Sequence, residues 1–166
     1  MGCLNLVATV ITASFVDKFG RKIFLLISIV GMILCLSALG FFFVLLDFYP
    51  SSVENIKWLP LASLSIYMIA FSLGFGPIPW LILGEIFSNE LKPFAGPICG
   101  FINWFIGFLI TFLFGSVSAA IGIGQTFWLF AVINVFGVFF IIFMVPETKG
   151  KTLPEIQKML VGTSAN

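Results

Sequence analysis

The sequence predicts an all-α membrane protein with five transmembrane helices. Of its 166 residues, 60% are hydrophobic and 9% are charged, whereas about a quarter of the residues in a soluble domain are charged. The charges also cluster, which leaves long stretches without a charged residue. In lipid, backbone polar groups must be hydrogen-bonded within the protein, so only helices and closed barrels span a membrane. Barrel strands alternate apolar and polar residues, so continuous apolar stretches predict spanning helices.

The stretches without charge define the predicted helices. About 20 helical residues cross the hydrocarbon core of a bilayer, so the stretches 23–46 and 58–84 each predict one span. The stretch 93–146 is far longer than one crossing, and its polar, glycine-containing segment 116–126 is the predicted turn. The predicted five-helix region, 1–146, therefore contains helices at about 1–16, 23–46, 59–83, 94–117 and 127–145, and a C-terminal tail follows at 147–166.

The first predicted helix is short. Residues 1–16 would extend only about 24 Å. A signal peptide is the alternative, but no basic region precedes the apolar run and Asp17 follows it closely. The simpler interpretation is a helix that starts upstream of Met1, which predicts that the chain is part of a longer protein.

The basic residues predict the orientation of the chain. Lysine and arginine are enriched in cytoplasmic loops, and seven of the eight basic residues fall on one side of the predicted helices. These seven are Lys18, Arg21, Lys22, Lys92, Lys149, Lys151 and Lys158, and Lys57 is the exception. The prediction places the N-terminus outside and the C-terminus in the cytoplasm.

Several classes of function are not expected. The net charge of +1 argues against a nucleic-acid partner, which would need a basic face. The chain has no histidine and its three cysteines are far apart, so no metal site or cofactor is predicted. All seven carboxylates lie in loops, at helix ends or in the tail, so an enzyme is not predicted.

The predicted spans contain uncharged hydrogen-bonding side chains. Amides and indoles suit a neutral, hydroxylated ligand, because an amide bonds hydroxyls and an aromatic face packs on the apolar side of a sugar ring. The alternatives are hydrogen bonds between helices for the amides and interfacial anchoring for Trp80 and Trp104. Small residues at Gly96, Gly100 and Gly107 predict close helix packing.

The third predicted helix contains an internal break. Pro77 and Pro79 cannot donate the backbone hydrogen bonds that a helix requires, and Gly74 and Gly76 lie beside them. Such a break is tolerated where it is buried in protein or lines a cavity, and transporters place interrupted helices at their substrate sites. A simple packing kink is the alternative.

Four motifs resemble the sugar porters of the major facilitator superfamily. They are DKFGRK at 17–22, GPIPW at 76–80, NW at 103–104 and PETKG at 146–150, and the segments GEIF at 84–87 and KTLPEIQKML at 151–160 are similar to insect facilitated trehalose transporters. The resemblance implies a twelve-helix fold of which this chain would form helices eight to twelve, a partial major facilitator fold. The sugar would lie between two halves and be exposed to each side in turn.

The resemblance also implies roles for particular residues. The sugar-contacting positions of the family fall on Asn5, Trp80, Asn103 and Trp104. Ser72 is a further candidate for substrate binding, because Ser72, Gly76 and Trp80 follow one another at spacings of four residues in the third predicted helix. It stands where facilitated glucose transporters have a glutamate, which makes glucose-type specificity doubtful. The charged loop positions of the family fall on Asp17, Arg21, Lys22, Glu85, Lys92 and Glu147, which would pair when the cytoplasmic side is closed.

The leading hypothesis is facilitated diffusion of a neutral sugar across the plasma membrane, with trehalose favoured by resemblance. The alternative is a truncated membrane protein that does not transport and instead associates with or modulates an intact transporter. The predicted partners are the sugar, the lipid bilayer and either a missing N-terminal half or an intact transporter.

Overall fold

A computed structural model describes residues 20–87, 90–145 and 147. The described helices are α1 (Arg21–Phe48), a 3-10 helix (Pro50–Ile56), α2 (Leu59–Leu73), α3 (Ile78–Ile86), α4 (Lys92–Ile121) and α5 (Ile123–Met144). The predicted helix 1–16, with Asn5, lies outside the described residues. Asp17 and the predicted tail after Glu147 lie outside them as well.

Four segments of the described chain are long and apolar enough to cross a membrane. They are Arg21–Phe48, Val53–Ile86, Lys92–Ile121 and Ile123–Met144. These segments correspond to the second to fifth predicted helices. The predicted all-α membrane fold is therefore confirmed.

Helix α1 is the centre of the bundle and packs against both α2 and α5. Its buried side chains recur every three or four residues, as expected for a helix with one face in the core. They include Leu25, Ile29, Met32, Leu36 and Leu39. Leu25 and Ile29 form the main apolar cluster together with Ile78 of α3 and Ile141 of α5.

Two glycines let α1 and α5 approach each other closely. A Cβ atom at Gly124 would lie 2.8 Å from the carbonyl oxygen of Gly40, and a Cβ at Gly40 would clash with the ring of Trp128. The indole Nε1 of Trp128 donates a hydrogen bond of 3.3 Å to the carbonyl of Ser37. Backbone contact between these helices therefore depends on the absence of side chains at both glycines.

The turn between α4 and α5 is much shorter than predicted. Helix α4 continues to Ile121 and α5 begins at Ile123, so Gly122 alone, at φ +95°, reverses the chain. The predicted loop 116–126 was wrong because two of its hydroxyl groups bond to carbonyls one helical turn earlier in the chain. Ser118 donates to the carbonyl of Gly115, and Thr126 donates to that of Gly122.

Helix α4 does not show the close packing that its small residues predicted. None of its residues is buried in the described chain. A Cβ atom at Gly96 or Gly107 would have nothing within 4 Å, and one at Gly100 would touch only the ring of Trp80, at 3.8 Å. Among the described residues, these glycines leave space beside α4 instead of bringing another helix backbone close to it.

Candidate functional site

A cavity of about 540 Å³ lies between the interrupted helix pair α2–α3 and helix α4. It brings together residues that are more than 20 positions apart in sequence, and none of the side chains around it is charged. Its lining residues are Phe71, Phe75, Gly76, Pro79, Trp80, Leu83, Cys99, Asn103 and Trp104. Three of the four residues that the resemblance assigned to sugar binding, Trp80, Asn103 and Trp104, line this one cavity.

The first wall of the cavity is formed where α2 ends and α3 begins. Helix α2 ends at Leu73, and α3 starts at Ile78 with Pro79 in its first turn, where a backbone donor is not needed. The connection is held by hydrogen bonds from the Gly76 amide to the Phe71 carbonyl, at 2.9 Å, and from the Ile78 amide to the Gly74 carbonyl, at 3.0 Å. The interruption therefore has a defined backbone geometry.

This geometry places Trp80 in the first turn of α3, next to the break. Its side chain is 45% exposed, and its ring reaches the backbone of α4 at Gly100. A larger residue at position 100 would meet the indole. Trp80 therefore extends from the break towards α4 and contacts it near Gly100.

The second wall belongs to α4. Cys99 and Asn103 are four residues apart, so they share one helix face, and Trp104 lies beside them. The Asn103 amide can donate and accept hydrogen bonds, and each indole offers one N–H donor and an apolar face. The cavity can therefore bind an uncharged molecule that has hydroxyl groups on one side and C–H groups on another.

Ser72 does not line this cavity, although the sequence pattern placed it with Gly76 and Trp80. Its side chain is 1% exposed, and its hydroxyl donates a hydrogen bond of 2.7 Å to the Met68 carbonyl one turn earlier. The spacing of four residues applies only within a continuous helix, and the break at 74–77 separates Ser72 from Trp80. Here the site prediction was wrong.

Gly74 contacts α1 instead of the cavity. A Cβ atom at this position would lie 2.5 Å from Cβ of Ser28 and 2.8 Å from the carbonyl oxygen of Phe24. The Ser28 hydroxyl donates a hydrogen bond of 2.6 Å to the Ala70 carbonyl near the end of α2. The break in the helix therefore packs directly against the backbone of α1.

The predicted charged residues form a cluster at one end of the bundle. Arg21 Nη2 lies 2.6 Å from Glu85 Oε1, which joins the start of α1 to the end of α3. The Glu147 carboxylate accepts the backbone N–H groups of Arg21 and Lys22 at 3.1 and 3.2 Å. This carboxylate caps the N-terminus of α1, where a negative charge is favourable.

Gly20 and Lys22 lie beside this cluster. Gly20 has φ +96°, and a Cβ atom there would lie 2.7 Å from Glu147 Oε2, so a side chain would obstruct the cap. The Lys22 ammonium donates a hydrogen bond of 2.7 Å to the Ile142 carbonyl in the last turn of α5. Lys92 begins α4, and Asp17 lies outside the described residues.

Sequence reasoning missed some members of the site. Cys99 lies one helical turn before Asn103 on the same face, and this spacing could have identified it. Phe71 and Phe75 also line the cavity, but in a chain with 22 phenylalanines no sequence signal separates these two from those that face lipid.

An interrupted transmembrane helix beside an uncharged cavity is an arrangement that transporters use at their substrate sites. The chain belongs to the sugar (and other) transporter family, whose sequence profile matches residues 1–160. The predicted membership of a sugar transporter family is therefore confirmed, as is the prediction that the chain is not an enzyme.

The relatives agree with this assignment. The chain is 46% identical to the facilitated trehalose transporter Tret1 of Polypedilum vanderplanki, over 98% of this chain and 32% of the relative. It is 45% identical to Tret1 of Bombyx mori, over 99% of this chain and 32% of the relative. The chain thus spans about a third of the length of these relatives.

Solved structures of the bacterial xylose transporter XylE have the same fold. A double tryptophan mutant of XylE superposes with a TM-score of 0.81 at 31% identity, over 95% of this chain and 33% of that one. The inward-open conformation of XylE from E. coli superposes with a TM-score of 0.74 at 31% identity, over 95% of this chain and 34% of that one. The family and the apolar helices place this chain in a membrane.

Proposed function

We propose that this chain is the C-terminal part of a transporter that moves a neutral sugar across the plasma membrane by facilitated diffusion with alternating access. The observation that carries the proposal is the meeting of Trp80, Asn103 and Trp104 on one uncharged cavity beside a broken helix. Trehalose is the favoured substrate because relatives at 41–46% identity are named trehalose transporters. The chain would supply helices eight to twelve, with its N-terminus outside and its C-terminus in the cytoplasm.

Each side chain of the cavity has a defined task in this proposal. The Asn103 amide exchanges hydrogen bonds with sugar hydroxyls, and the indoles of Trp80 and Trp104 pack against the C–H face of a ring. Asn5, assigned by resemblance, would add a second amide. No side chain around the cavity carries a charge, so a neutral ligand is favoured over an anion or a cation.

The break and the charge cluster would control access to the cavity. The segment from Gly74 to Pro79 lies between two regular helices, and bending there would move Trp80 relative to α1. The cluster of Arg21, Glu85 and Glu147 joins the ends of α1, α3 and the segment after α5, and it would hold the cytoplasmic side closed. A contact that contributes a few kcal/mol can break during a conformational cycle, because two states that differ by a few kcal/mol both stay populated.

The proposal is tested with a chimera in which this chain replaces the corresponding third of the Bombyx mori relative. Trehalose uptake is measured in oocytes, with surface biotinylation as a check on expression. Trp80→Ala is expected to raise KM about tenfold, because an aromatic packing contact contributes about 1–1.5 kcal/mol. Asn103→Ala is expected to reduce uptake as well, through lost hydrogen bonds.

Matched controls exist for both variants. Trp58 is 63% exposed at the start of α2 and lies off the cavity, so Trp58→Ala should transport normally. Asn134 donates within its own helix to the Phe130 carbonyl at 2.8 Å, so Asn134→Ala should also transport normally. Unchanged uptake in Trp80→Ala at normal surface expression would remove this residue from the site.

The second candidate function is that of a membrane partner which does not transport by itself. The observation that favours it is helix α4, which has no buried residue in the described chain and so offers a whole helix for association. The chain alone is expected to give no saturable trehalose uptake. Changed uptake when the chain is co-expressed with an intact relative would support this partner role, and saturable uptake by the chain alone would exclude it.

A further inference from the structure

A second cavity, of about 410 Å³, lies between α1, α3 and α5. All of its lining residues are apolar, and Leu25, Ile82, Ile86 and Ile141 are among them. Phe140 and Met144 also line it, and their side chains are 59% and 67% exposed, so the cavity opens through them at the side of the bundle. We call it the lateral groove. It offers no polar lining side chain to a sugar, and an apolar cavity does not favour water.

The lateral groove is nearly as long as one lipid leaflet is thick. Along α5 it extends from Gly137 to Val145, which is about 12 Å at 1.5 Å rise per residue. Half of a hydrocarbon core is about 15 Å thick. The groove also ends near the charge cluster, because Val145 lies two residues before Glu147.

A cation lies at this end of the lateral groove. Lys22 is one helical turn before the lining residue Leu25, and its Nζ donates to the carbonyl of Ile142, next to the lining residue Ile141. Within the described residues this bond uses one of the three N–H donors of the ammonium. The other two can reach an anionic oxygen, and lysine is a common ligand of phosphate.

We propose that Lys22 and the lateral groove together bind one phospholipid. The phosphate accepts hydrogen bonds from the Lys22 ammonium, and one acyl chain occupies the apolar cavity. Phe75 and Pro79 line both this groove and the cavity between α3 and α4. The bound acyl chain therefore packs against the opposite side of the interrupted helix from the sugar cavity, and this lipid site does not depend on which sugar is transported.

Photo-crosslinking tests the proposal on the full 166-residue chain in nanodiscs. One sample contains phosphatidylglycerol with a diazirine on its acyl chain, and a second contains diacylglycerol with the same chains and no phosphate. Labelled peptides are mapped by mass spectrometry. With the phospholipid, labelling is expected to concentrate on residues 82–86 and 140–145, and diacylglycerol is expected to label them about fivefold less.

The chain contains its own control groove. A smaller cavity of about 180 Å³ between α4 and α5, lined by Ile106, Leu113, Leu129 and other apolar residues, lies away from Lys22. Lys22→Gln is expected to lower labelling of the lateral groove about fivefold, because a basic residue near anionic lipid contributes an attraction of that size. Lys57→Gln, which changes an exposed lysine paired with Glu54, should leave labelling unchanged.

A second pair of variants tests the acyl-chain part. Ile82→Trp fills the lateral groove and should remove its labelling, whereas Ile66→Trp changes an exposed residue of α2 and should not. Equal labelling of both grooves would mean that only bulk lipid is in contact, and it would overturn the proposal. Unchanged labelling in Lys22→Gln, or equal labelling by diacylglycerol, would overturn the phosphate contact.

Discussion

Replacing Gly74 by alanine tests whether the helix break is seated on α1 as closely as the structure shows. The added Cβ atom would lie 2.5 Å from Cβ of Ser28, 2.9 Å from its Oγ and 2.8 Å from the carbonyl oxygen of Phe24. The φ angle of Gly74 is −134°, which lies outside the left-handed region. The expected cost is therefore steric crowding between two helices.

The size of the effect follows from what surrounds the new methyl group. Overpacking a well-packed site costs about 1–3 kcal/mol. One of the crowded atoms belongs to the backbone of Phe24, which cannot move away by changing a rotamer. We therefore expect Gly74→Ala to lower the free energy of unfolding by about 2–3 kcal/mol.

The assay is reversible unfolding of the full chain by SDS in mixed micelles, followed by circular dichroism. Gly84→Ala is the matched control, because a Cβ atom there has nothing within 4 Å. In a helix interior, alanine is more favourable than glycine by up to about 1 kcal/mol. The control should therefore be neutral or slightly stabilising.

A second substitution tests how much of this crowding comes from the Ser28 side chain. Ser28→Gly removes both side-chain atoms that crowd the new methyl group but also loses the hydrogen bond to Ala70. In the double variant with Gly74→Ala, we expect a favourable coupling of about 1 kcal/mol or more. Equal stability of Gly74→Ala and Gly84→Ala would refute the close contact between the break and α1.

Three further predictions concern the cavity, the charge cluster and the turn. Cys99 lines the cavity whereas Cys35 is buried, so a polar maleimide should label Cys99 at least tenfold faster than Cys35. Peptide mapping measures the labelling of each cysteine, and in the chimera trehalose should protect Cys99. Arg21→Gln should lower the free energy of unfolding in SDS by about 2 kcal/mol, because it removes a charged hydrogen bond to Glu85 in which the side chains are only 11% and 24% exposed. Gly122→Ala should lower it by about 1–3 kcal/mol, because φ +95° with ψ 153° is a backbone conformation that is essentially restricted to glycine; an unchanged midpoint would contradict the one-residue turn.

Much of the fold follows from where the charges are absent. A transmembrane helix needs only length and apolarity, so each of the four apolar segments in the described chain overlaps a stretch of sequence without charge. The same pattern could not locate the turn between α4 and α5. Ser118 and Thr126 are polar in sequence but bond to carbonyls one helical turn earlier in the chain, so polarity did not mark a loop.

The candidate site was predictable only in part. Trp80, Asn103 and Trp104 could be proposed from motif resemblance, and they line one cavity. Ser72 was misplaced because helical spacing does not hold across the break. Asn5 and Asp17 lie outside the described residues, so their assignment stays a prediction.

The sequence alone determined that the chain consists of apolar helices, that one of them is interrupted by prolines, and that its polar groups at membrane depth are uncharged. These properties depend on residue type and spacing along the chain. The tertiary structure decided which side of the break faces α1 and which aromatic residues surround the cavity. It also decided that Glu147 caps a helix that starts 126 residues earlier. These properties depend on how helices pack, and the close contacts of Gly40 with Gly124 and of Gly74 with Ser28 join parts of the chain that are far apart in sequence.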